Sequence, residues 1–307
     1  MTAILIQDKS MPHEESGLRV KPLCVNCGRS VEASYCSYCG EKVLTDKDYS
    51  LRHLMKEGLE LLVDFDFKFF RTAVLLVRKP GFLTTEYWSG RRINYTSPFQ
   101  LLLLINIFYF FCSFISEQLG YNIRVMFPTL SDLTDDRVFS RWASHVVQTK
   151  LLAEQIPVKV YYDSFNSHLE QLAKSLVILL VPILAFFLRI FYWRSKRYFV
   201  EHFISAAHLV SFYVLFWSLL MLFSGSLAKI SALLSPNGHP VQFFSIPLLR
   251  YSPPIIIGVY IFFALRQMYK QTIVLTIITC LLLIFVVIQA ITNIYDFILF
   301  WMAYFMV

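Results

Sequence analysis

Residues 99–116 read FQLLLLINIFYFFCSFIS, eighteen positions without one Asp, Glu, Lys or Arg. A helix of that length rises about 27 Å, close to the ~30 Å of bilayer hydrocarbon. Pro98 stands directly before it, where a missing backbone N–H is harmless because the first turn has no intrahelical acceptor for it. The stretch reads as a membrane-crossing helix. Working outward, residues 172–193, 203–223, 253–267 and 272–291 form comparable apolar blocks. The second contains Pro182, which predicts a kink. The last is followed by Asn293 and Asp296, so a helix end near Ile291 is expected, with both polar residues at the surface, the alternative being a tail that turns back into the membrane.

The whole composition agrees. Hydrophobic residues make up 56% of 307 positions and charged residues 16%, against about 25% charged in soluble domains. A soluble chain of this size could not hide so much apolar surface. Disorder, a collagen-like chain and a DNA-binding domain with a large charged surface are excluded by the same figures. No internal repeat is evident along the chain.

The net charge of +7 sorts by position. Arg71, Arg78, Lys79, Arg91 and Arg92 precede the first block; Arg189, Arg194, Lys196 and Arg197 lie between the second and third; Arg266 and Lys270 lie between the fourth and fifth. The intervening segment 117–171 holds five Lys/Arg against seven Asp/Glu, and 224–252 holds two Lys/Arg. Basic residues crowd alternate loops, as the positive-inside rule requires. The expected topology has a cytoplasmic N-terminus, five spans, an outside loop over 117–171 and an outside C-terminus, in a cell (inner) membrane. The charge also favours anionic lipid headgroups, and nucleic acid is not needed to explain it.

The first 23 residues are polar, without the apolar core of a signal peptide, and read as a flexible cytoplasmic segment. Between 50 and 98, Leu51, Leu54, Met55, Leu59, Leu62 and Val63 recur at helical spacing, followed by FKFFRTAVLLVRKP. Such a basic amphipathic stretch fits helices lying in the headgroup plane or packed on the cytoplasmic end of a bundle.

Chemistry concentrates in residues 24–42, where Cys24, Cys27, Cys36 and Cys39 form two CxxC pairs, each followed by Gly. Two such knuckles present four soft sulfurs in a tetrahedral array, which favours Zn2+. Disulfides are disfavoured in a reducing cytoplasm, and a thioredoxin-like role needs a βαβ pattern that is missing. With four Cys ligands no position is left for an activated water, so the zinc reads as structural. Cys112 and Cys280 fall inside spans and read as packing residues.

Polar residues inside spans are expensive. Glu201, Ser205 and His208 recur at i, i+4 and i+7 on one helix face, with His202 about 100° round. They could form an intramembrane polar site or a structural hydrogen-bonded cluster. Asn106, with Tyr109 and Ser113, shares a face of the first span, where interhelical hydrogen bonding suffices. No P-loop, GxSxG, HExxH or GxGxxG pattern occurs, which leans the reading away from an enzyme.

The paired CxxCG knuckles, FKFFRTAVLLVRKPG, EYWSGRRINYTSP and, more loosely, YFVEHFISAAH resemble an uncharacterised bacterial multi-pass membrane family catalogued as domain of unknown function 3667. Pro80, Gly81, Tyr87, Gly90, Arg91, Arg92, Tyr95 and Pro98 occupy that family's most recognisable positions. Its knuckles often carry Pro after the first Cys, where Val25 and Ser37 stand here; the thiolates remain. The resemblance implies a zinc-ribbon membrane protein and supplies no activity. Physically, Tyr87, Gly90, Arg91, Arg92 and Tyr95 read as an interfacial lipid clamp, aromatic rings at headgroup depth and arginines on phosphates.

The expected fold is an all-α integral membrane helix bundle of about five transmembrane helices with a small N-terminal four-cysteine zinc ribbon. The expected function is non-enzymatic, the cytoplasmic ribbon recruiting or sensing a protein partner on a membrane anchor. The alternative is an ion or small-solute transporter or channel using Glu201, His208 and Asn106.

Overall fold

The computed structural model describes residues 22–45, 48, 50–52, 55, 68–118, 128–135, 137–234 and 247–307. Leu54, Leu59, Leu62 and Val63 of the amphipathic run, and the N-terminal segment 1–21, lie outside the described residues. The helices are α1 Lys68–Arg78, α2 Phe82–Trp88, α3 Pro98–Gln118, α4 Leu130–Asp135, α5 Ser140–Glu154, α6 Val158–Leu176, α7 Leu180–Phe191, α8 Phe199–Leu234, α9 Pro247–Tyr269, α10 Ile273–Ala290 and α11 Asp296–Met306. Among the described residues, extended pairing is confined to two isolated bridges in the cysteine segment, Leu23 with Ser30 and Tyr35 with Lys42.

Among the described residues, four helical stretches are long and apolar enough to cross a membrane: Pro98–Gln118, Val158–Phe191, Phe199–Ser231 and Ile273–Met306. The protein is a membrane protein, and these stretches cover four of the five expected blocks. The remaining block, 253–267, lies within α9, which begins earlier, at Pro247. Its uninterrupted apolar stretch, IIIGVYIFFAL, is only eleven residues long, between Pro254 and Arg266, well short of the ~20 that hydrocarbon demands. Even so, α9 runs antiparallel to α8: the Tyr269 hydroxyl meets His202 Nδ1 at 2.8 Å, and the Tyr260 ring stacks on Phe212 with centroids 3.4 Å apart.

Helix α8 is the centre of the bundle. Small residues Ser205, Ala206, Ala207 and Ser211 are buried, which lets neighbouring backbones approach closely where lipid supplies no hydrophobic drive. The start of α8 gathers α2, the end of α9 and Tyr192 beyond α7. Trp88 Nε1–H donates to the Glu201 carbonyl (3.0 Å), and Tyr192 stacks on Tyr269 (3.5 Å). Gly81 (φ +77°) turns the chain between α1 and α2, and a Cβ there would come within 2.7 Å of the Ala264 carbonyl oxygen. Only glycine lets α2 sit this close to α9.

A second core stands at the other end. The 34-residue stretches Val158–Phe191 and Ile273–Met306 each rise about 51 Å, some 20 Å more than the hydrocarbon. Their surplus turns pack on each other: Tyr161, Phe165, Leu169 and Ala173 face Tyr295, Leu299, Phe300 and Ala303, with Leu130, Leu133, Ala143 and Val147 from α4 and α5. The expected outside loop 117–171 therefore contains α4, α5 and most of α6. The expected helix end near Ile291 is replaced by a π-helical turn, Ile291–Tyr295, that carries α10 into α11. Asp296 is 1% exposed rather than at the surface, because Arg137 Nε donates to its carboxylate at 2.8 Å. The kink expected at Pro182 appears one turn earlier, as the 3-10 turn Val177–Leu179. That leaves Pro182 in the first turn of α7, where its missing N–H is tolerated.

Candidate functional site

The two cysteine knuckles are copies of each other at an offset of twelve residues. The Cys24 N–H donates to Arg29 (2.7 Å) and that of Gly28 to Cys24 (2.9 Å). The Cys36 N–H donates to Glu41 and that of Gly40 to Cys36, both at 2.8 Å. Val31 and Val43 close the turns by bonding to Pro22 and Ser34. Gly28 and Gly40 have φ of 74° and 75°, a region open to glycine without steric cost. Each turn points its pair of sulfurs inward. The four Sγ atoms lie within 4.8 Å of one another, with Cys24 to Cys39 at 3.5 Å and Cys27 to Cys36 at 3.6 Å.

A tetrahedral ion with metal–sulfur bonds of ~2.3 Å needs sulfur–sulfur edges of about 3.8 Å. The two pairs at 3.5 and 3.6 Å are close to that edge, and the rest lie within 4.8 Å. Backbone N–H groups of Cys39 and Tyr38 hold the Cys36 thiol down at about 6. Cys27 receives a backbone N–H near Arg29, yet burial and the three neighbouring thiols push it up to about 12. Four crowded thiols that cannot all ionise alone would be neutralised together by a cation. These residues could hold a metal ion, and no described His, Asp or Glu joins them.

The ribbon is seated on the loop that leads into α3. Glu41, 3% exposed, accepts the backbone N–H groups of Arg92 (3.1 Å) and Ile93 (3.2 Å). Asn94 donates to Asn26 at 3.2 Å, and buried Gly90 lies beneath Val25 and Leu44. Sequence reasoning missed Glu41, because its partners lie 51 and 52 residues away.

The residues read as a lipid clamp have protein partners. Tyr87 is 2% exposed, inside the main core. Arg91 is doubly bonded to Glu86 through Nε (2.8 Å) and Nη2. Arg92 lies 4.5 Å over the Tyr87 ring and donates to the Tyr87 carbonyl at 3.4 Å. Tyr95 meets Phe82 edge-on.

The polar residues of α8 are placed as follows. The Tyr198 backbone N–H donates to Glu201 Oε2 (2.8 Å) and Arg197 Nη1 to Oε1 (2.8 Å). The first of these is the reach-back bond of a capping box, with Glu201 three residues into the helix start. Arg197 also lies 3.7 Å over the Trp88 ring. Ser205 donates to the Glu201 carbonyl (2.9 Å), and His208 Nδ1 is 2.9 Å from the Thr84 hydroxyl. Thr84 and Tyr269, the partners of the two histidines, were not found from sequence, since each lies on a different helix. Asn106 is not joined to this cluster by any described bond, and its Oδ1 is buried without a partner among the described residues.

Residues 66–110 match the model of a family described as a protein of unknown function (DUF3667); the segment spans α1, α2, the loop under the ribbon and the first half of α3. No curated protein and no solved structure gives a significant match. Over residues 66–110, about a seventh of its length, the chain is similar to that family of unknown function.

Proposed function

We propose that the protein is a membrane-anchored adaptor or sensor whose four-cysteine ribbon binds structural Zn2+ and recruits a protein partner on the cytoplasmic side. The observation that carries this reading is the bond from Glu41, two residues after Cys39, to the loop entering α3. A change in the ribbon would pass to the helices through the two hydrogen bonds that the Glu41 carboxylate accepts from backbone N–H groups. The closed ligand set favours a structural ion over a catalytic one, and thiolates favour Zn2+ over harder cations. Leu23, Tyr35 and Tyr38 on the ribbon are 68%, 58% and 64% exposed, large apolar surfaces of the kind found at protein contacts. Basic residues clustered at the ribbon-bearing end favour a cytoplasmic ribbon, and α9, which runs back beside α8 to that end as a fifth traverse, favours an outside C-terminus.

A photo-crosslinker placed at Tyr38 of the full-length protein in cells tests the reading. A discrete adduct that vanishes with Cys24→Ser is the expected result; an adduct indifferent to Cys24→Ser would overturn it. Reporter fusions at Val307 test the orientation, with outside activity expected. A second reading, passage of an ion or small solute, is favoured by Asn106 Oδ1, His202 Nε2 and Ser211 Oγ, buried without partners among the described residues. Solute flux in liposomes that persists without the ribbon and is lost with Asn106→Leu would favour it over the adaptor.

A further inference from the structure

We propose that an open groove between α1 and the Phe82–Tyr95 segment holds the headgroup of one anionic phospholipid, a role separate from that of the ribbon. The groove, about 460 Å³, is lined by Arg71 and Lys79 among Phe70, Val74, Phe82 and Tyr95. Arg71 lies on α1 and Lys79 directly follows its last residue, its backbone N–H still bonded to the Leu75 carbonyl (2.9 Å), so the two cations stand about 12 Å apart along the helix direction. Arg71 lies 6.0 Å over the Tyr95 ring and Lys79 5.1 Å over the Phe82 ring. No carboxylate pairs with either cation among the described residues. Arg91 next door differs, since Glu86 already takes it.

The surroundings choose the ligand. Helix α1 buries Thr72 and Leu76 in the bundle, while Phe70, Val74 and Val77 are 56%, 49% and 44% exposed. An apolar outer face flanked by two cations with no described carboxylate partner suits the bilayer interface, where acyl chain and phosphate are neighbours. Tyr95 stands three residues before Pro98, the first residue of a membrane span, which places the groove at the entry of that span. Free phosphate would match the two cations and leave the apolar lip uncovered. A phospholipid matches both: phosphate between Arg71 and Lys79, acyl chain along Phe70 and Val74.

The test uses full-length protein in detergent, titrated with phosphatidylglycerol or phosphatidylcholine, with bound lipid counted by native mass spectrometry. One phosphatidylglycerol retained in preference to phosphatidylcholine is expected for the wild type. At roughly fivefold per cation, the Arg71→Gln/Lys79→Gln pair should weaken that binding about 30-fold at low salt. The charge-keeping Arg71→Lys/Lys79→Arg pair should retain the preference, and so should Arg194→Gln, an exposed cation elsewhere. Equal retention of both lipids by the wild type overturns the proposal, and that result needs no variant to fold. An unchanged preference in the double Gln variant, or equal competition by inorganic phosphate at matched concentration, also overturns it.

Discussion

At the ribbon-bearing end, Glu41 directs its carboxylate to the backbone N–H groups of Arg92 and Ile93, and Glu201 divides its own between the Tyr198 N–H and Arg197. At the opposite end, Asp296 and Glu117 face cationic side chains, Arg137 and Lys174. The two arrangements fail differently. A backbone N–H that loses its acceptor near the surface can turn to water. A carboxylate that loses its cation inside a packed core stays charged and unpaired, which costs more. Fewer bonds at the far end should therefore matter individually more than those at the ribbon end, the metal excepted.

The proposed metal sets the top of the scale. Binding energies of structural zinc in small domains are on the order of 10 kcal/mol. Cys36→Ser in the full-length protein should abolish stoichiometric metal, read by elemental analysis, and expose residues 22–45 to protease while the helices persist. Full metal retention would remove the metal from the comparison.

Next comes the far core. Arg137→Ala leaves Asp296 buried without its partner and should destabilise by about 3 kcal/mol, seen as a lower thermal midpoint in detergent. Metal content should not change. A loss no larger than that of Glu41→Gln would break the contrast drawn between the two ends.

Glu41→Gln keeps one amide oxygen for Arg92 and Ile93 and removes the charge. A cost of about 1–2 kcal/mol is expected, visible as faster protease clipping of a ribbon that still holds metal. Thr84→Val is the mildest test. It removes the hydroxyl facing His208 without changing volume much, and a loss of about 1 kcal/mol is expected. If it equals Arg137→Ala, the buried histidine carries far more than a hydrogen bond.

Much of the molecule was legible along the chain, and the illegible parts share a cause. The cysteine spacing and its two glycines act within five residues, so the knuckles could be read directly, although their twelve-residue repeat went unnoticed. Apolar length located the spans, because hydrocarbon imposes a minimum on each. The far core escaped. Tyr161, Phe165, Leu169 and Ala173 recur every four residues, a pattern that could have named α6 inside the supposed loop. Nothing near Asp296 in sequence announces Arg137, 159 residues away. Within EYWSGRRINYTSP, spacing alone does not announce that Arg91 meets Glu86 or that Tyr87 enters the core.

The sequence by itself determined that the chain is a helical membrane protein and that four thiols converge on one point, since both follow from local spacing and solvent. The tertiary structure decided where charge is allowed to be buried, which cations are left over, and that the ribbon rests on the entry to the first span. Those outcomes depend on pairs of groups far apart in the chain. Their energies exist only once the helices have packed, because a buried carboxylate is tolerable only where another element supplies its partner.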